Sequence, residues 1–234
     1  NFTMKKILAL VLALALVFAM TATALAEAKP YIAIISKGFQ HQFWQTVAMG
    51  AKDAAAKYNV DITFDGPPSE SDISTQIDML NAALAKNPKA LALAALDTES
   101  VTEQLLSAKE KGIPVIGFDS GVPNAPEGTI VSTASTNNEV AGALAADQMF
   151  AIESIKAAIT AATPEAPVVI GAMSQDATSA SVVGRTTGFL NEMWRLVSEV
   201  KAGEVAITGH DKYNKASASG KVSVELNILV PATT

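Results

Sequence analysis

Aromatic and polar side chains are concentrated in one short segment, residues 37–44, which reads Lys-Gly-Phe-Gln-His-Gln-Phe-Trp. Only 6% of the chain is aromatic, so this segment stands out. Flat rings stack on the apolar faces of sugars, and amide and imidazole groups bond hydroxyls. The candidate binding residues here are Phe39, Gln40, His41, Phe43 and Trp44. The alternative is that Phe43 and Trp44 staple a helix to a sheet.

Two acidic residues, Asp97 and Asp119, follow apolar runs of strand length. A carboxylate in such a position can accept two hydrogen bonds from hydroxyls, and its charge strengthens both. Asp97 can equally cap the helix that Thr98 and Ser100 open, and we favour this role for it. Asp119 precedes Ser-Gly rather than a helix, so we expect Asp119 and its neighbour Ser120 to face a ligand.

A further candidate group lies at residues 174–179, which read Ser-Gln-Asp-Ala-Thr-Ser and follow another strand-like run. Asp176 belongs to this segment, and Arg185 lies on the helix that comes next. The guanidinium of an arginine offers planar donors that suit adjacent hydroxyls or a carboxylate. A solvated surface position is the alternative for Arg185.

The sequence lacks the phosphate-binding and dinucleotide-binding glycine motifs and the Gly-x-Ser-x-Gly motif of serine hydrolases. His41 and His210 are its only histidines, and it has no cysteine. A zinc site or a histidine-based triad would therefore have little to draw on. We predict a protein that is not an enzyme and needs no metal or other cofactor, with a secreted enzyme that uses carboxylates alone as the less favoured alternative.

The elements that would position these residues alternate between strand and helix. Helical spacing of apolar residues covers residues 42–58, 72–86 and 100–111. Continuous apolar runs of strand length occupy residues 31–36, 60–64, 90–94, 114–118 and 130–132. This pattern predicts an α/β fold with a doubly wound parallel sheet. Ligands bind such sheets beyond the carboxyl ends of the strands, where the candidate residues fall.

The alternation continues less regularly after this sheet. Residues 137–162 read as one long Ala-rich helix, and a strand and a helix follow at residues 168–172 and 179–193. Residues 209–220 are polar and irregular, and residues 222–230 read as a lone strand. We predict one complete lobe at residues 27–163, the start of a second lobe at 164–193, and a divergent, incomplete segment at 194–234.

The first residues carry the features of an export signal. A basic start at Lys5 and Lys6 precedes an apolar run at residues 7–20, and Ala24-Leu25-Ala26 supplies small residues for cleavage. We predict a cleaved signal peptide at residues 1–26 and a periplasmic or secreted product, with a single transmembrane anchor as the alternative. The absence of cysteine excludes a lipid-anchored lipoprotein, and the net charge of −6 does not favour nucleic acid or anionic membranes.

Several motifs occur in a familiar order between about residues 31 and 193. After the first strand come Phe-x-x-x-Phe-Trp-x-x-x-x-x-Gly, Pro-Val-Ile-Gly-Phe-Asp-Ser, a Thr-Asn-Asn segment and Arg-x-x-Gly-Phe. This order resembles the ribose-binding type of periplasmic solute-binding protein. The resemblance implies two α/β lobes that are joined by a three-strand hinge and close over a monosaccharide.

The resemblance also implies roles for individual residues. His41 stands where relatives often carry Asn, and Phe43 and Trp44 correspond to the stacking aromatics. Asp119 corresponds to the hydroxyl-binding Asp of the family, and Arg185 matches an Arg of the family. Relatives deliver further ligand groups from units for which residues 194–234 have no counterpart, so we predict an impaired or absent sugar pocket in this chain, as a frameshift or premature end would produce.

The leading functional hypothesis is a monomeric, non-catalytic binder that captures a sugar and passes it to the permease of an ABC importer. The first alternative is a ligand carrier for a chemoreceptor, which would use the same closed form. A sugar-responsive repressor is disfavoured, because the sequence has an export signal and no N-terminal helix-turn-helix.

Overall fold

The computed structural model of the chain describes Met4 and residues 28–231. Apart from Met4, the predicted signal peptide lies outside the described residues. Within the described chain, the first five strands form one parallel sheet in the order β2-β1-β3-β4-β5. These strands are β1 (Tyr31–Ile35), β2 (Asp61–Asp65), β3 (Ala90–Leu93), β4 (Val115–Phe118) and β5 (Ile130–Ala134). The predicted parallel sheet of doubly wound type is confirmed.

Helices lie on both faces of this first sheet. They are α1 (Gln42–Tyr58), α2 (Ile73–Ala85) and α3 (Thr102–Glu110). Leu80 of α2 and Leu105 of α3 pack with Val115 of β4 in a buried core. Trp44 of α1 packs against Phe118, whose position in β4 points to the opposite face from Val115. The carboxyl ends of the strands are therefore framed by helices on two sides.

The second sheet has three parallel strands in the order β6-β8-β7. These strands are β6 (Val168–Met173), β7 (Val205–Thr208) and β8 (Val224–Leu229). Three helices accompany them, namely α4 (Asn138–Phe150), α5 (Glu153–Ala161) and α6 (Ala180–Val200). A second core buries Leu226 of β8 with Met193 and Val197 of α6.

Two predictions about this region are wrong. The long helix over residues 137–162 is divided into α4 and α5, because Ile152 takes an extended conformation with φ −71° and ψ 116°. The lone strand at residues 222–230 is instead the central strand β8, which pairs with β6 on one side and β7 on the other. The C-terminal residues thus supply the middle of a sheet.

The division between the two cores also differs from the predicted lobe boundary at residue 163. Phe150 of α4 and Ile159 of α5 belong to the second core, together with residues of α6 and β8. α4 joins this core because it crosses α6 with almost no gap between the backbones. A Cβ built on Gly142 would lie 2.1 Å from the carbonyl oxygen of Arg185, and a Cβ on Gly188 would lie 2.0 Å from that of Glu139. We call residues 31–134 the first half and residues 138–229 the second half.

Candidate functional site

The candidate site lies where the loop between β6 and α6 meets the carboxyl ends of the first sheet. Thr178 of that loop donates its hydroxyl to the carbonyl of Leu96 at 2.9 Å. The amide of Ser181 donates to the hydroxyl of Ser120 at 3.2 Å. The second half therefore touches the loops after β3 and β4, as the rule for parallel sheets predicts.

Lys37 is a buried cation at the centre of this contact. It follows β1 and is only 3% exposed, although lysine is almost never fully buried without a partner. Its Nζ lies 3.5 Å from the hydroxyls of Ser179 and Ser181 and 3.7 Å from Oε2 of Glu70. These three oxygens surround the three donors of the ammonium group, at distances that are long for hydrogen bonds.

Glu70, in the loop between β2 and α2, links the two halves through its two carboxylate oxygens. Oε1 accepts a hydrogen bond from Nε1 of Trp44 at 2.7 Å, and Oε2 accepts one from Nε2 of Gln175 at 3.0 Å. Desolvation would raise the pKa of Glu70, but the bonds from Trp44 and Gln175 and the charges of Lys37 and His41 together hold the pKa below its usual value. Glu70 is consequently ionised near neutral pH.

Asp119 stands directly after β4 in a left-handed conformation, with φ 53°. Its amide donates to the carbonyl of Ala134 at 2.9 Å, which holds the loop after β4 beside the end of β5. Burial raises the pKa of its carboxyl above the ordinary value, and the positive charges of Lys37 and Arg185 offset this rise only in part. Asp119 is thus a carboxylate that lacks full solvation, and hydroxyl donors would stabilise its charge.

A cavity of about 350 Å³ opens beside Asp119 and receives residues from both halves. Its volume is within the range of small-molecule sites. Hydroxyl and amide side chains dominate its polar lining, which includes Asp119, Thr133, Thr136, Asn137, Asn138 and Ser181. These are the groups that would exchange hydrogen bonds with a polyhydroxylated ligand.

The three aromatic residues of segment 37–44 occupy different environments. The side chains of Phe39 and Phe43 are 44% and 54% exposed, whereas Trp44 is 1% exposed. Trp44 packs edge-on against Phe43, with 4.8 Å between the ring centroids. The predicted stacking role therefore suits Phe39 and Phe43 in this conformation, while Trp44 occupies the packing position that the staple alternative describes.

Three of the predicted polar site residues use their side chains for hydrogen bonds within the protein. Oδ1 of Asp97 accepts from the amides of Glu99 and Ser100 at 2.9 and 2.7 Å in the turn before α3. The predicted capping of the helix is wrong, because α3 begins only at Thr102 and its N-cap residue is Val101. The buried carboxylate of Asp176 accepts from the amides of Thr178 and Ser179 and so shapes the loop before α6. The buried hydroxyl of Ser120 receives the amide of Ser181. The hydrogen bonds of these groups hold loops together.

The remaining predicted residues lie around the edge of the site. Gln40 and Phe39 line a separate cavity of about 330 Å³ with Gly66 and Pro68. His41 is exposed and precedes α1 without a side-chain capping bond. Arg185 is also exposed and lines a third cavity, of about 580 Å³. The structure thus brings Asp119 and its cavity close to the second half but spreads the other predicted residues over several surfaces.

Sequence reasoning missed Lys37, Glu70 and Ser181 as parts of the site. Lys37 follows a strand directly, so the strand-end rule that selected Asp119 also covers it. Glu70 and Ser181 carry no such signal, because their places depend on how a loop and a helix of different halves meet.

The family comparison decides the relationship of the chain to known proteins. The model of the family described as periplasmic binding protein domain matches residues 32–219. The chain belongs to this family. This membership agrees with the prediction that the chain is not an enzyme.

Several solved structures are similar to the chain. A protein from Brachyspira murdochii, described as an ABC transporter and LacI family transcriptional regulator, is 40% identical with a TM-score of 0.66, and the match covers 88% of this chain and 58% of that chain. An ABC transporter solute-binding protein from Agrobacterium vitis with bound D-fucose is 28% identical with a TM-score of 0.63, and the match covers 86% and 57%.

Among curated relatives, the D-allose-binding periplasmic protein of Escherichia coli (strain K12) is 27% identical over 115 residues. That match covers 47% of this chain and 37% of the relative. The chain therefore spans less than two thirds of the length of these periplasmic binding proteins. No helix of the described residues is both long and apolar enough to cross a membrane.

Proposed function

We propose that this chain captures a monosaccharide between its two halves, as the exported binding component of an ABC sugar importer. The observation that carries the proposal is Asp119, an incompletely solvated carboxylate that lines a cavity shared by both halves. The relatives support the sugar class, because their descriptions name D-allose and D-fucose as ligands.

The chemistry of binding follows from the groups around that cavity. The carboxylate of Asp119 accepts hydrogen bonds from two adjacent hydroxyls of the sugar. Ser181, which also lines the cavity, donates to a further hydroxyl or ring oxygen. The exposed ring of Phe43 stacks on the apolar face of the sugar. Binding needs no cofactor.

Release and transport complete the proposal. The protein is exported through residues 1–26, which are then removed, and it works as a monomer outside the cytoplasm. Sugar binding stabilises the closed arrangement of the halves, and the permease recognises this arrangement and receives the ligand. Mass spectrometry of the exported protein tests the first step, with Glu27 as the expected first residue.

A thermal-shift screen against a panel of aldoses and ketoses tests the binding proposal. It compares this chain with a version in which a relative's C-terminal units complete the second half, because the prediction of an impaired pocket concerns those units. A ligand at a hundred times its dissociation constant adds about 2.7 kcal/mol to the free energy of unfolding. Failure of both proteins to respond to any sugar would sink the proposed function.

A further inference from the structure

Glu70 is placed to act on both halves of the molecule at once. One carboxylate oxygen holds the indole of Trp44 within the first half, and the other holds the amide of Gln175 in the second half. The carboxylate also lies 3.7 Å from the buried ammonium of Lys37. A single side chain therefore contacts a packing aromatic, a buried cation and the loop before α6.

The backbone around Glu70 is shaped for this contact. A Cβ built on Gly38 would lie 2.9 Å from Cγ of Glu70 and 3.5 Å from Cδ1 of Trp44. A Cβ on Gly66 would lie 2.4 Å from Oγ of Ser36 and 2.6 Å from the carbonyl oxygen of Gly38. Two glycines thus allow the loops after β1 and β2 to approach closely enough for Glu70 to reach Trp44.

The contact with Trp44 extends to the exposed ring of Phe43. The two rings meet edge-on at 4.8 Å, and Trp44 also packs edge-on against Phe118 of β4 at 6.3 Å. Because Trp44 is buried between these neighbours and tied to Glu70, its orientation fixes one side of Phe43. Glu70 therefore helps, through Trp44, to fix the orientation of the exposed ring of Phe43.

We propose that Glu70 is a positioning residue. It couples the arrangement of the binding loop, by which we mean the residues after β1 and the first turn of α1, to the contact that the loop before α6 makes with the first half. When the halves meet, Gln175 binds the carboxylate that already holds Trp44 and lies beside Lys37, so closure and ring orientation stabilise each other. This inference deepens the proposed function. Only the predicted effect of Glu70 on sugar affinity depends on that function.

Hydrogen–deuterium exchange tests this coupling without any ligand, in segments 37–46 and 172–182. Glu70→Ala removes both hydrogen bonds, so we expect exchange to rise about tenfold in both segments. Gln175→Ala removes only the contact between the halves, so exchange should rise strongly in segment 172–182 and, through Glu70, by a smaller factor in segment 37–46. Glu70→Gln keeps an acceptor for Trp44, so segment 37–46 should stay protected.

Glu110→Ala is the matched control, because Glu110 is an exposed carboxylate on α3 of the same half. The proposal is overturned if Glu70→Ala exchanges like this control, or if Gln175→Ala leaves exchange in segment 37–46 at the wild-type rate. A rise of exchange in β8 as well would show that Glu70→Ala unfolds the whole chain. The proposal is then tested by comparing exchange in Glu70→Gln with exchange in Gln175→Ala.

Sugar affinity gives the second readout. For a sugar that binds the wild type, Glu70→Ala should weaken binding about tenfold and Glu70→Gln by less than about threefold. Absence of binding in the wild type would contradict the proposed function but leave the exchange result standing. Equal affinities for wild type and Glu70→Ala would overturn the link between Glu70 and the binding loop.

Discussion

Glu70 and Asp119 are two carboxyls whose pKa values move in opposite directions within one site. The pKa of Asp119 rises because burial outweighs the attraction of Lys37 and Arg185. The pKa of Glu70 falls because hydrogen bonds from Trp44 and Gln175, with nearby positive charge, outweigh burial. The fold binds both carboxylate oxygens of Glu70, whereas burial leaves the charge of Asp119 less well solvated.

Asp119→Asn should therefore stabilise the ligand-free protein at pH 7. A carboxyl whose pKa is raised by folding contributes full stability only below its unfolded pKa, and this contribution is lost as pH rises through the folded pKa. Asn also tolerates the left-handed backbone at this position. We expect the melting temperature to rise by about 1–2 °C at pH 7, and the difference to vanish near pH 3.8, the ordinary pKa of Asp.

Glu70→Gln should instead lower the stability of the protein at pH 7. Folding lowers the pKa of Glu70 below its ordinary value of 4.5, so its stabilising contribution is present above that pH and is lost as pH falls through the folded pKa. Melting curves between pH 3.5 and 7 should show the wild type above Glu70→Gln only at the higher pH values. If the melting temperatures of the wild type and Glu70→Gln differ by the same amount at every pH, the lowered pKa of Glu70 is contradicted.

At the residue scale, the sequence predicts where polar groups end strands but not how each one is used. Asp119 was identified because no helix follows it, and that reasoning depends only on neighbours in the chain. The burial of Trp44 depends on Glu70 and Phe118, which are distant in the chain, whereas the carboxylate of Asp176 is bound by amides of its own loop. The sequence alone therefore could not separate ligand-binding residues from supporting ones.

At the scale of elements, the crossing of α4 and α6 depends on two glycines. Gly142→Ala or Gly188→Ala would place a Cβ within about 2 Å of a backbone carbonyl oxygen, which cannot move as a flexible side chain can. We expect each substitution to lower the free energy of unfolding by about 2–3 kcal/mol in urea denaturation.

Gly50→Ala is the matched control for these two variants. Gly50 lies inside α1, and a Cβ built there meets no atom within 4 Å. The substitution should raise the free energy of unfolding by about 0.5–1 kcal/mol, because alanine favours the helix. If all three variants change stability alike, the close contact of α4 with α6 is not the cause.

The pattern of elements could be predicted well where periodicity is strong. The five strands of the first sheet occur where apolar runs place them, and α2 begins after Asp72, whose side chain accepts from the amide of Thr75. The break between α4 and α5 was missed because an Ala-rich segment has no sequence mark at Ile152. The central place of β8 was missed because strand order in a sheet depends on contacts distant in sequence.

At the scale of the whole molecule, each half has its own core, and each core contains a fully buried leucine. Leu91 of β3 is 1% exposed in the first core, and Leu226 of β8 is 0% exposed in the second. Leu226→Ala should cost about 2–5 kcal/mol of unfolding free energy, as should Leu91→Ala. If β8 is the central strand, exchange of the amides in β6 and β7 should increase in Leu226→Ala, while unchanged exchange there would contradict its pairing.

The central claim is that Asp119 anchors a monosaccharide between the two halves. Isothermal titration calorimetry with D-allose, D-fucose and D-arabinose tests it most directly, on this chain and on the version whose second half is completed, each paired with its Asp119→Asn variant. We predict saturable one-to-one binding of at least one sugar to the completed version, weaker binding to this chain, and a loss of about tenfold or more in affinity for Asp119→Asn, which stays folded. Equal affinity with and without Asp119→Asn, or no heat of binding for any sugar with either protein, would contradict the claim.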